Sequence, residues 1–346
     1  MNTQIFNYKK VLALESGREL FNFNLAYTTL GKLNKEGNNV IWITHALTAN
    51  ANPLEWWSGL VGERKFFNPK EHFIICVNVL GSCYGSTGPL SINSETENFY
   101  YHNFPEITIR DIVKSLDLLR VHLRIEKIHT LLGGSLGGQQ AVEWAIQQPN
   151  LIKNLILIAT NAQHSPWGIA FNESQRLAIE TDSTWLENRE NAGKKGLKAA
   201  RSIALLSYRN YQTYHRTQQD EIDKSDGFKA ASYQIYQGEK LAERFNAFSY
   251  WYLSKAMDSH NVGRGRAGVK IALQQIKAKT LIVAINSDIL FPISESQILF
   301  KGILNSEMEV IDSLYGHDGF LIETDLLEET FDNFYDKSPL LRGGIL

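Results

Sequence analysis

The sequence predicts an α/β fold: one mostly parallel central sheet with helices on both faces and a helical lid inserted late in the chain. Three observations carry this expectation. Short apolar runs rich in β-branched residues alternate with helical patterns over residues 40–161. The rhythm lapses across residues 162–276 and resumes with Leu281. A serine framed by glycines stands where one of the strands passes into a helix.

In chain order, VLAL near residue 11 and the partly alternating FNFNLAYTTLG from Phe21 read as strands. VIWITHA from Val40 and FIICVNVLG from Phe73 have the apolar character of buried parallel strands. In the next segment Ile109, Ile112, Val113, Leu116, Leu119 and Leu123 form one apolar stripe at helical spacing. KIHTLLGG then reads as a strand, LGGQQAVEWAIQQ as a helix and LIKNLILIAT as a strand, the alternation of a parallel sheet with short connections.

Residues 162–276 lack a convincing buried strand, read as helices, and hold seven of the 14 tyrosines. Tyrosine suits the roof of a pocket because it joins apolar area to a polar tip, although helix packing alone accounts for such residues equally well. TLIVAINSD, a helix near Ser294–Leu304, the strand MEVID and a helix after Gly319 complete the pattern. The expected organisation is a discontinuous core of residues 1–161 plus 277–346, with residues 162–276 as a helical lid.

The composition bounds the partners. At roughly 150 residues per domain, 346 residues fit two domains or one large domain with an insertion. Thirty-five basic and 37 acidic side chains leave a net charge of −2, with no basic excess to displace counterions from a nucleic acid. The longest apolar runs, such as Leu155–Ala159 and Leu281–Ile285, fall far short of the roughly 20 residues that span a bilayer. The start MNTQIFNYKK lacks the apolar stretch of a secretory signal, and two cysteines, Cys76 and Cys83, suit a reducing compartment. A cytoplasmic globular protein without nucleic-acid or membrane partners is expected.

The sharpest chemical signal is LLGGSLGG. Gly133, Ser135 and Gly137 satisfy G-x-S-x-G between a strand and a helix, the context that separates a nucleophile turn from an incidental glycine-rich one. The hydroxyl of Ser135 would project above the sheet, while the helix N-terminus behind it favours developing negative charge. A serine needs a base to take its proton, and on this topology the acid and the histidine follow in that order on later post-strand loops. Asp288 follows TLIVAIN and His317 sits in the glycine-flanked loop after MEVID. His317 is therefore the candidate base and Asp288 the residue that fixes its tautomer. Asp312 is a rival acid but precedes His317 on the same strand end, and no other histidine follows the last strand. Oxyanion donors are expected from the backbone N–H groups of Leu136 and, in the loop after VIWIT, of Leu47. No P-loop, dinucleotide fingerprint or metal-ligand spacing is evident.

HALT at His45–Thr48, NVLGSCYGSTGP at Asn78–Pro89, TIRD at Thr108–Asp111 and GGSLGG together resemble the homoserine O-acetyltransferases. IAFNESQRLAI, MDSHNVGRGR, SDILFP and GHDGF extend the resemblance from about His45 to Phe320. It implies an α/β-hydrolase fold with a helical lid, a homodimer, and transfer of acetyl from acetyl-CoA to L-homoserine on the route to methionine. The resemblance implies a ping-pong cycle through an acetylated Ser135, with acetyl-CoA as a substrate and no permanently bound cofactor or metal expected. Family substrate contacts map onto Arg201, for the α-carboxylate, and onto Tyr208 and Asp318, for the α-ammonium. Where the family often has HALTG, this chain has Ala49 and then Asn50, whose amide could still meet the substrate. GRGR at Gly263–Arg266 could attract CoA phosphates. Succinyl-CoA as donor, serine as acceptor, or water in place of an acceptor would use the same triad, and a silent binding protein would keep only the fold.

Overall fold

The computed structural model describes residues 2–336; Met1 and residues 337–346, the end of the expected core segment, lie outside the described residues. Eight strands form one sheet: β1 (Gln4–Ala13), β2 (Glu19–Leu30), β3 (Val40–Thr44), β4 (Phe73–Val77), β5 (Ile128–Gly134), β6 (Ile152–Ile158), β7 (Lys279–Ile285) and β8 (Ser306–Ile311). Their spatial order is β1-β2-β4-β3-β5-β6-β7-β8. The β1–β2 and β2–β4 pairs are antiparallel, and every pair from β4 to β8 is parallel. The architecture is the expected α/β one.

The helices are α1 (Pro53–Trp56), α2 (Ile109–His122), α3 (Leu136–Gln147), α4 (Pro166–Glu180), α5 (Lys194–Tyr208), α6 (Tyr211–Gln218), α7 (Lys229–Ala242), α8 (Ala247–Asp258), α9 (Val269–Leu273), α10 (Ile293–Gly302), α11 (Gly319–Ile322) and α12 (Thr324–Asp336). All of α4–α9 fall between β6 and β7. The stripe read from the sequence turns inward on α2, which Thr108 and Asp111 start with a reciprocal capping box.

Successive residues of a strand face opposite sides, so each central strand feeds two cores. Trp42, Leu131 and Leu155 join the core under α2 and α3, whereas Ile41, Ile43, Leu132 and Ile156 join the core under α12. Trp42 meets Trp144 of α3 edge to face at 5.0 Å, a contact worth about 0.5–1.5 kcal/mol beyond area burial. On the other face Leu327, Phe331 and Phe334 of α12 close the second core at helical spacing.

Two elements differ from expectation. β1 extends back to Gln4, ahead of the VLAL run read as a strand; this edge strand is mostly exposed and its register shifts between Tyr8 and Val11, which hides the alternation of its first part. The segment after Gly319 is two helices, α11 and α12, broken at Glu323.

Candidate active site

Parallel strands deliver their carboxyl ends to one edge of the sheet, and the loops after β5, β7 and β8 carry Ser135, Asp288 and His317 there. Ser135 is the N-cap of α3, with φ 57° and ψ −127°, a region costly for a residue with a Cβ. Its surroundings hold it. The Ser135 N–H donates to the Ile158 carbonyl at 3.0 Å, and its own carbonyl accepts from Thr160 Oγ1 at 2.9 Å. A Cβ on Gly133 would lie 2.2 Å from Thr44 Oγ1, and one on Gly137 would lie 2.1 Å from the Thr44 carbonyl oxygen. Both glycines are therefore required by close approach of β3 to the turn.

His317 is buried, and its Nδ1 lies 2.6 Å from Asp288 Oδ2. The other oxygen of Asp288 accepts from the Leu290 and Phe291 N–H groups at 2.8 and 2.9 Å, so the carboxylate is fixed on both sides. The imidazole packs against Phe291, Phe320 and Tyr208, with ring centroids at 5.1, 5.3 and 5.7 Å. Phe320 also fills the space beside Gly134, which brings the histidine loop against the serine turn. Among the described residues Ser135 Oγ makes no hydrogen bond to the imidazole; such contacts commonly tighten only with substrate bound. The rival Asp312 accepts from Asn286 Nδ2 instead.

Leu47 occupies a tight turn in which Ala49 N–H donates to Ala46 O at 3.0 Å. Among the described residues neither the Leu47 nor the Leu136 N–H is donated to a protein acceptor. His45 braces this turn: its Nδ1 lies 2.8 Å from Ala46 O, and its Nε2 accepts from the Val79 N–H at 3.0 Å. Complete burial pushes His45 down to about 4, keeping it the neutral tautomer that both contacts need. From the far side, Arg244 Nη1 reaches Thr48 O and Tyr84 Oη, each at 2.6 Å.

Arg201 and Tyr208 sit two turns apart on α5, with the guanidinium 5.3 Å from the Tyr208 ring centroid. Among the described residues no carboxylate forms an ion pair with Arg201, which leaves a half-buried cation beside the histidine loop. Asp318 is paired through Oδ2 with Arg209 Nε at 2.9 Å, a partner the sequence reading did not identify. Burial pushes the Asp318 carboxyl up against the opposing pull of Arg209 and Arg201.

Other expectations land elsewhere. The Asn50 side chain is engaged by its near neighbours in the chain, donating to Glu55 Oε2 of α1 at 3.2 Å and accepting from the Asn52 N–H at 2.8 Å. The GRGR arginines are structural: Arg264 pairs with Glu15 at 2.8 Å and Arg266 with the buried Glu143 at 2.5 Å, so neither is presented as a free phosphate ligand. Of the seven tyrosines in residues 162–276, Tyr208 packs on the histidine ring, Tyr250 and Tyr252 are buried in the helical packing, and Tyr211 is 79% exposed. Cys76 and Cys83 are free thiols. Among the described residues no cluster of His, Cys, Asp and Glu could hold a metal ion, and no helix is long and apolar enough to cross a membrane.

Residues that sequence reading missed tie α4 and α8 to α3. Gln139 contacts Asn161 at 3.0 Å and His164 at 3.3 Å, while Asn172 joins His164 to Asp258, which Arg176 neutralises. Such a network has no local sequence signature, since its members come from four separate segments.

A serine turn, an Asp–His dyad and two N–H groups that are undonated among the described residues, all at one sheet edge, are the parts of an acyl-transfer centre, and known proteins are similar to this chain along nearly its whole length. Residues 39–324 match the family model described as alpha/beta hydrolase fold. A homoserine O-acetyltransferase of Cyclobacterium marinum is 53% identical over 335 residues, covering 97% of this chain and 95% of the relative. The crystal structure of homoserine O-acetyltransferase from Bacillus anthracis superposes with a TM-score of 0.88 at 25% identity, covering 96% of this chain and 97% of that one. The acetyl esterase MekB is similar at 25% identity and a TM-score of 0.85, with 97% of each chain covered. With that identity sustained along nearly its full length, the chain belongs to the homoserine O-acetyltransferase family, on the alpha/beta hydrolase fold.

Proposed function

We propose that this chain transfers an acetyl group from acetyl-CoA to the hydroxyl of L-homoserine through an acetyl-Ser135 intermediate. The observation that carries the reading is the Asp288–His317 pair beside the Ser135 turn, with the Arg201 cation, in no ion pair among the described residues, next to it. The names of relatives that match along 90–95% of their length support the donor and acceptor.

His317 takes the Ser135 proton as Oγ attacks the thioester carbonyl, and Asp288 holds the imidazole with its Nδ1 protonated and its Nε2 free to accept. The Leu47 and Leu136 N–H groups receive the oxyanion, each worth about 10²–10³ in rate. Collapse breaks the C–S bond, and the proton on His317 goes to the departing CoA thiolate. In the second half His317 takes the proton from the homoserine hydroxyl, whose oxygen attacks the acetyl-serine, and returns it to Ser135 Oγ. Arg201 binds the α-carboxylate as a bidentate donor. Asp318 and Tyr208 face the α-ammonium, and Asn50 acts by shaping the loop that presents Leu47. Residues 162–276 form the lid that limits water at the acyl-enzyme. Acetyl-CoA serves as a substrate with no resident cofactor in this scheme, which we place in the cytoplasm and in a homodimer.

A second reading, ester hydrolysis, takes its support from the likeness to MekB. Release of free CoA from acetyl-CoA and succinyl-CoA, each offered L-homoserine, L-serine or no acceptor, separates the readings. Rapid release only with acetyl-CoA and L-homoserine is expected; equal release without an acceptor replaces transfer by hydrolysis.

A further inference from the structure

Both proposed oxyanion donors come from backbone segments with no covalent reason to stay in register: Leu136 opens α3, whereas Leu47 belongs to the turn after β3. One side chain touches both. Gln140, fully buried on α3, directs Nε2 to the Leu136 carbonyl and to the His45 carbonyl, each at 3.2 Å. The first contact lies in the residue that supplies one donor, and the second lies two residues before the other. We propose that Gln140 is a positioning residue that staples the two halves of the oxyanion hole together. The inference rests on Ser135 as nucleophile and not on the identity of donor or acceptor.

The amide orientation follows from its neighbours. Both partners are carbonyl oxygens, which only accept, so a reversed amide would set Oε1 against two acceptors. In the orientation found, Oε1 is buried without a hydrogen-bond partner among the described residues. That is a cost an apolar residue of equal length would avoid, so packing alone does not explain a glutamine here. A second tie lies beside the staple but does not replace it. Thr44 Oγ1 joins the end of β3 to Gly137 O of α3 at 2.7 Å, one residue short of Leu136, and His45 braces its own turn, so Gln140 is the side chain that reaches the Leu136 and His45 carbonyls themselves. With the Thr44–Gly137 tie and the β3–β5 pairing left in place, loss of the staple would let the two N–H groups shift relative to each other, and misplacement by about 1 Å costs on the order of 10²-fold in a preorganised site.

Gln140→Met keeps length and removes both donors; Gln140→Glu keeps shape and turns the donor into an acceptor. Acylation of Ser135 is read from the nitrophenolate burst with p-nitrophenyl acetate, which any active serine gives. Oxyanion geometry is read separately from the affinity of an alkyl trifluoromethyl ketone, which adds to Ser135 as a tetrahedral oxyanion. Both variants are expected to lose about 10- to 100-fold in acylation rate and in ketone affinity together, with the KM for the ester within about threefold. Burst rates within about twofold of wild type, or a rise in KM alone, overturn the staple. Failure of both variants to fold also overturns it, by making Gln140 structural. Wild-type protein that bursts with the ester but shows no homoserine-dependent CoA release refutes the proposed substrates and leaves this test intact.

Discussion

Asp288→Asn changes one atom, and the structure fixes what that change does. Asp288 Oδ1 accepts from the Leu290 and Phe291 N–H groups at 2.8 and 2.9 Å, so the asparagine oxygen must stay there. Reversing the amide would lose both bonds and set an NH2 against two N–H donors, a penalty of about 2–3 kcal/mol. The asparagine NH2 therefore faces His317 Nδ1 at the 2.6 Å position, and the imidazole must accept there and carry its proton on Nε2. That tautomer cannot take the proton of Ser135. Phe291 and Phe320 hold the ring, so it has no room to find another acceptor. The same substitution in a serine protease lowers kcat by about 10⁴, which corresponds to roughly 5.4 kcal/mol of barrier. A loss of that order is expected here in CoA release from acetyl-CoA at saturating L-homoserine, read with a thiol-reactive chromophore. The folded protein should melt within a few degrees of wild type. Asp312→Asn, which touches only the Asn286 contact, should remain within about threefold. A loss smaller than about tenfold in Asp288→Asn, or an equal loss in both variants, would refute the tautomer argument.

Three further outcomes are expected. Gly137→Ala places a methyl group 2.1 Å from the Thr44 carbonyl oxygen, so soluble protein, if obtained, should give no ester burst; a wild-type burst would contradict the close-approach argument. Arg201→Met should raise the KM for L-homoserine by about tenfold to a hundredfold, as loss of a charged bidentate contact does, with the acetyl-CoA KM little changed; parallel rises would make Arg201 structural. Burial pushes His45 down to about 4 and His164 and His260 down to about 3, against about 6.5 in the unfolded chain. Their neutral forms stabilise the fold fully above about pH 6.5, and that stability is lost as pH falls, because the unfolded chain takes up protons the folded one refuses. Each histidine adds a slope of up to about 1.4 kcal/mol per pH unit, while the raised carboxyls of Asp258, Glu295 and Asp318 act oppositely from unfolded values near 4. A Tm that falls between about pH 7 and pH 5.5 is expected; a flat profile contradicts the neutral assignments.

The sequence was most legible where one strand or one turn dictates the chemistry. Ser135, Asp288 and His317 could be read because a parallel sheet sends every strand end to one edge, and a tight turn after a strand admits few residue types. The preference for Asp288 over Asp312 came from loop position and agrees with the 2.6 Å contact. Legibility ended at contacts between distant segments. Nothing local to GRGR reveals that Glu15 and Glu143 neutralise it, nor does the sequence around Asp318 point to Arg209. Asn50 looked available because its two partners, the Asn52 N–H and Glu55 of the short α1, depend on a turn geometry the sequence left open. Gln140 was read only as part of a helix, since its meaning depends on a carbonyl 95 residues away. The first part of β1, ahead of VLAL, escaped for the opposite reason: an exposed edge strand has too little burial to impose alternation.

The central claim is that Ser135 carries the acetyl group between donor and acceptor, and intact-protein mass spectrometry tests it most directly. Mixed with acetyl-CoA alone, the protein is expected to gain one acetyl group, located on the peptide containing Ser135 and absent from Ser135→Ala. Added L-homoserine should then discharge it as O-acetyl-homoserine, faster than water discharges it as acetate. An enzyme that makes the same product without ever bearing an acetyl group, or that bears it on another residue, would contradict the claim.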